Sequence, residues 1–151
     1  MSAPADAGMV EADFAVLRED YSRYLLSDGT TLRVKIVVRK LFKTPATSPQ
    51  GYPLNVGVDS INVVAAQVPD RLRRRPSADT IDTSRDVGTE MKFELMGEQR
   101  DQEYLTADGL RVLMKPVLTK VFKYDKYNGY GEPIYNVVVQ AITNMEKVSS
   151  S

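Results

Sequence analysis

Two clusters in this chain have the residue types to hold a phosphate-rich partner. Arg71, Arg73, Arg74 and Arg75 crowd into one short run before Pro76. A guanidinium matches two phosphate oxygens with its planar fork, which an ammonium group does not. The second cluster, Phe122 to Gly131, interleaves Lys123 and Lys126 with Tyr124, Tyr127 and Tyr130. This is the composition of a loop on which bases stack while ammonium groups hold the backbone. Lys35, Arg39 and Lys115 add basic positions to two long strand patterns. Each cluster also has a plainer reading. A basic linker stays solvated, a tyrosine-rich loop makes protein contacts at low entropic cost, and basic strand residues pair with acids on neighbouring strands.

The absent residue types narrow the chemistry. The 151 residues include no His and no Cys. The commonest general base is missing, and no Ser-His or Cys-His pair can form within the chain. Structural zinc has no ligands of its preferred kinds. Carboxylates, lysine amines and Mg²⁺ remain possible. Glu98, Asp101 and Glu103 cluster in sequence, but a solvated acidic hairpin explains them as well as a cation site does. Lys40 and Lys120 fall on the inward parity of long strand patterns, where a lysine extends its amine past the core into water. No catalytic, metal-binding or cofactor-binding residue is expected, and the chain is read as a non-enzymatic binding protein.

Charge is segregated although 20 basic and 20 acidic residues cancel. Residues 1–28 and 77–108 are acidic, whereas 32–76 and 109–131 are basic. A basic surface on each half that meets RNA or a ribonucleoprotein, such as a ribosome, is the leading expectation. Against it stands the zero net charge, since free-standing nucleic-acid binders are usually basic overall. The alternative is a self-assembling scaffold in which acidic and basic strips pair between subunits of a homo-oligomer.

The elements that must position these residues follow from an internal match. Tyr24–Lys43 overlays Tyr104–Lys123 without a gap, with nine of the twenty positions identical. Among them are the Asp28-Gly29 and Asp108-Gly109 turn signals, and the lysine pairs Lys35/Lys115, Lys40/Lys120 and Lys43/Lys123. A fixed register of 80 residues means one supersecondary unit used twice. Leu32, Val34, Ile36, Val38 and Phe42 alternate with Arg33, Lys35 and Arg39, which is the period of a half-buried strand. In the second copy Val112, Met114, Leu118 and Phe122 take the inward positions. Pro116 replaces Ile36 and requires an edge or a bulge there. Strands are expected over 14–17, 21–26, 32–42, 54–66, 93–96, 102–106, 112–122 and 134–145. The one rival for helix is a single turn at Asp70–Arg75.

The expected fold is all-β. A ~60-residue four-stranded unit in tandem duplication would form two small barrel-like or sandwich-like halves related by a pseudo-twofold, since ~60 residues alone make a marginal core. The expected division is a disordered tail at 1–12, a first repeat at 13–69, an Arg-rich linker at 70–88, a second repeat at 89–148 and a tail at 149–151. No apolar run approaches the ~18–20 residues that span a bilayer, so no membrane partner is expected. No signal peptide is visible at the start, so a cytoplasmic location is the default. The absence of Cys fits a thermophile source.

Overall fold

The computed structural model describes residues 9–44, 56–77 and 80–147. The start of the strand expected at 54–66, most of the expected tail at 1–12 and the tail at 149–151 lie outside the described residues. The fold is all-β, with two antiparallel sheets of five strands, neither of them closed. The first sheet holds β1 (Val10–Ala12), β3 (Ser22–Leu26), β4 (Thr31–Lys43), β5 (Val56–Gln67) and β7 (Phe93–Met96). The second holds β2 (Phe14–Arg18), β6 (Thr89–Glu90), β8 (Gln102–Thr106), β9 (Leu110–Tyr127) and β10 (Pro133–Lys147). Val10–Ala12, within the stretch read as tail, is therefore a strand.

The two sheets have the same connectivity. One edge of β4 pairs with β5 throughout, and its other edge is shared by β3 and β1. One edge of β9 pairs with β10, and its other edge is shared by β8 and β6. The second strand of each half crosses over: β2 pairs with β8, and β7 pairs with β3.

The long strands bend at matching places. In β4 the register skips Arg39, and in β9 it skips Thr119, eighty residues later. A bulge adds one residue and reverses the side-chain parity beyond it. Leu41 and Val121 are therefore buried where alternation predicts Phe42 and Phe122. The same reversal carries Lys40 and Lys120 outward, correcting their inward placement.

Two apolar clusters fill the space between the sheets, and each draws on both halves of the chain. Ile36, Val38 and Leu41 of β4 meet Tyr104, Leu110, Val112 and Met114. Leu32 and Val34 of β4 meet Tyr24, Leu26, Leu118 and Val121. Burying side chains of this kind stabilises by ~1.5–3 kcal/mol apiece.

Where β4 lies between β3 and β1, residues 35–40 have no strand neighbour on that side. Gln102 fills the opening. Its amide oxygen accepts from the Ile36 N–H at 2.9 Å, and its Nε2 donates to the Ile36 carbonyl. The amide thus stands in for a strand at a site where Ile36 is wholly buried. Pro116 occupies the equivalent opening of β9, between β8 and β6. It has no N–H to satisfy, and the Gln99 side chain donates to its carbonyl. That is how a proline is accommodated inside an interior strand.

Candidate functional site

The structure brings the two cation-rich clusters together at one end of the molecule. Asp70–Leu72 forms a single 3-10 turn, with Arg73 N donating to the Asp70 carbonyl at 3.0 Å. Beyond it, Arg74 N donates to the Gly131 carbonyl, and Ser77 N to that of Tyr127, each at 2.9 Å. Tyr127 N donates back to Ser77 Oγ at 3.0 Å. The Arg run therefore lies along the end of β9 and its turn into β10. β9 continues to Tyr127, so Phe122–Tyr127 is strand and not loop. The turn itself is built on Asn128, whose Oδ1 accepts from Tyr130 N at 2.9 Å and Glu132 N at 3.0 Å.

Most cations at this end are engaged within the chain. Lys123 sits 3.0 Å from Asp28, and Lys126 sits 2.9 Å from Asp86. Arg73 reaches Asp70 at 3.5 Å and Glu132 at 3.7 Å. Arg71 donates to the Asp28 carbonyl, and Arg74 to the carbonyls of Arg71 and Arg73. Arg75 is exposed and has no ionic partner among the described residues. The three tyrosines differ. Tyr124 is 7% exposed, Tyr127 is half-buried, and Tyr130 is 79% exposed. Tyr124 lies against Gly88, where an added Cβ would come within 2.8 Å of its ring. Only Tyr130 of the three stands out fully into solvent.

The basic strand residues meet local partners too. Arg39 bonds Asp59 at 2.8 Å, Lys115 reaches Asp101 at 3.9 Å, and Lys35 lies 4.5 Å from the centre of the Tyr21 ring. Exposed pairs of this kind are worth under ~1 kcal/mol and exchange readily. Asp101 and Glu103 face Lys115 and Arg18 respectively, on different strands.

The identities between the two halves acquire a physical role here. Asp28 of the first turn pairs with Lys123 near the end of the second long strand, and Asp108 of the second turn pairs with Lys43 near the end of the first. Burial alone would raise the Asp28 pKa. Hydrogen bonds from Tyr135, the Thr30 amide and Lys123 outweigh it and hold the carboxyl below its ordinary value. For Asp108, the Lys43 ammonium and then the Thr106 hydroxyl do the same. A lowered folded-state pKa contributes stability above the unfolded value of 3.8, and that contribution is lost as the pH falls through the lowered pKa. Acid should therefore loosen both cross-half contacts together. The matching Asp and Lys positions were visible in the sequence, but their reciprocity was not.

The other conspicuous surfaces are the outer edges of β5 and β10. Among the described residues each pairs on one side only, leaving edges of 12 and 15 residues. β5 carries one charge, Asp59, and β10 has two at its very end, Glu146 and Lys147. Ile61 and Val64 of β5 are exposed, as are Val138 (41%) and Ile142 (49%) of β10. The usual protections of an edge are shortness, prolines and lysines. Here they are missing from the middle of both strands. A groove of about 310 Å³, lined by Leu32, Val64, Ala66, Pro133, Tyr135 and Val137, runs between the two strands. No family model matches the chain, and comparison with curated proteins and with solved structures finds no match.

Proposed function

We propose that this is a non-enzymatic structural protein that assembles with copies of itself through its sheet edges. The observation that carries the reading is the pair of long, sparsely charged edges on β5 and β10. An exposed edge of that kind is a template for another strand. Pairing of acidic and basic strips between subunits is the weaker form of the idea, because Arg39, Lys43, Lys115, Lys123 and Lys126 already have acidic partners in their own chain. The non-enzymatic part rests on the lack of His and Cys. Tandem duplication with a pseudo-twofold belongs to the same reading, supported by the matching bulges, the exchanged strands and the reciprocal Asp–Lys pairs.

A second reading, RNA or ribonucleoprotein binding, is favoured by the contact between the Arg run and the turn bearing Tyr130. Its cost is that phosphate must displace several internal acids. Light scattering on the purified chain, with and without ribonuclease, separates the two. The assembly reading predicts a mass that is a whole multiple of 16.9 kDa, rises with concentration and is indifferent to ribonuclease. A mass of one chain at high concentration, together with nucleic acid that leaves in high salt, would favour the second.

A further inference from the structure

We propose that the free edge of β10 pairs with the same edge of a second copy, antiparallel and centred on Gln140. This rests on the reading of assembly through sheet edges and makes it specific. Opposite residues of an antiparallel pair point to the same face. A twofold axis through a continuous sheet therefore requires that paired residue numbers sum to an even value. Among the described residues β10 runs from Pro133 to Lys147, and Gln140 is its middle one. In that register every described residue of the strand finds a partner.

The side chains agree with it. On the outward face Gln140 lies opposite its own copy, Val138 opposite Ile142, and Asn136 opposite Asn144. Apolar thus meets apolar, and amide meets amide. On the inward face Val139 meets Ala141, Val137 meets Thr143, and Tyr135 meets Met145. No like charges oppose each other: Lys147 falls on Pro133, and Glu146 falls on Ile134 while bonded to Arg111 at 3.0 Å. A shift of two residues either way leaves two residues of each strand unpaired and sets Gln140 against Ile142 or Val138. β5 is the poorer candidate, because Asp59, paired with Arg39, interrupts its apolar run.

The size is adequate. Fifteen residues make an edge about 50 Å long at ~3.3 Å per residue. With side chains on both faces, such a contact hides on the order of 500–600 Å² per copy, at the lower end of specific interfaces. An isologous pair of this kind closes as a dimer and forms one continuous sheet across the two copies.

Because the chain has no Cys, single cysteines report the register directly. In the centred pairing, Gln140→Cys faces its twin with Cβ atoms ~4.5–5.5 Å apart, close to what a disulfide needs. Ile142→Cys has its twin about 13 Å away along the strand. Mild oxidation should cross-link Q140C into a covalent dimer roughly tenfold faster or more than I142C. A mixture of V138C and I142C should give the mixed dimer. These positions are exposed, so the variants should melt like the parent. Equal cross-linking of Q140C and I142C would overturn the register. Cross-linking of Ile61→Cys on β5, with Q140C silent in a chain that still assembles, would overturn the choice of edge and spare the assembly reading. A single-chain mass with no cross-linking anywhere would overturn both.

Discussion

Replacing Gln102 with Leu should destabilise the protein by about 2–5 kcal/mol, because two buried backbone groups of Ile36 each lose their partner at ~1–3 kcal/mol. Gln102 is 1% exposed and Ile36 fully buried, so water has no easy route to take over. Its Nε2 also donates to the Tyr104 hydroxyl at 2.6 Å, which in turn donates to Glu19 at 2.8 Å. Leucine matches the bulk and supplies none of these bonds. For a chain of this size the loss corresponds to a fall in Tm of roughly 5–15 °C. Gln99→Leu provides the comparison. Its partner is Pro116, which has no N–H, so a single carbonyl is orphaned and the effect should be markedly smaller. Thermal melting of both variants checks the account. A Q102L chain within about 0.5 kcal/mol of the parent would show that the amide is not acting as the missing strand.

Gly131→Ala should do comparable damage, but locally. Gly131 has φ +77°, and an added Cβ would lie 2.4 Å from the Arg74 carbonyl oxygen. That contact is with backbone, which cannot swing aside as a side chain can. The left-handed conformation alone costs a non-glycine residue ~1–2 kcal/mol. Relief is available only if the turn rebuilds or the Arg run lifts away, breaking the Arg74–Gly131 hydrogen bond. Limited proteolysis after Arg73–Arg75 should become faster, while the two cores keep most of their protection. The variant also separates the readings of function. RNA binding through the joined Arg run and turn would weaken with it, whereas edge assembly would not. Unchanged proteolysis would mean that the run is held by something other than its contact with the turn.

Strand positions were largely legible, because alternation such as Leu32-Arg33-Val34-Lys35-Ile36 reports one buried face, and Asp28-Gly29 and Asp108-Gly109 mark tight turns. Both turns contain a glycine at positive φ, as expected of those signals. Alternation could not reveal the bulges at Arg39 and Thr119, because an inserted residue has no type of its own. Leu41 and Phe42 are both apolar, and only the break in pairing decides which one goes inside. The exchange of β2 and β7 was hidden for a related reason. Strands of four or five residues show that they pair, not with which neighbour. Gln102 has the inward parity of β8, yet its role depends on an opening in a strand 66 residues away. The cationic residues were legible by type, but their acidic partners come from distant segments, as with Lys126 and Asp86 or Lys123 and Asp28. Edge status, on which the proposed function turns, is a property of spatial strand order. Its trace in the sequence was the scarcity of charge, with Asp59 alone across Val56–Gln67 and none from Pro133 to Asn144.

Amide hydrogen exchange along β5 and β10, followed as a function of protein concentration, tests the central claim most directly. In a lone chain the outward-pointing amides, about every second residue of an edge strand, exchange quickly while their neighbours are held by β4 or β9. Assembly through the edges predicts that these fast amides slow as the mass in solution rises, with those around Gln140 slowing first. If they stay fast while the mass rises, or if the chain remains a monomer throughout, the edges are not where this protein meets its partner.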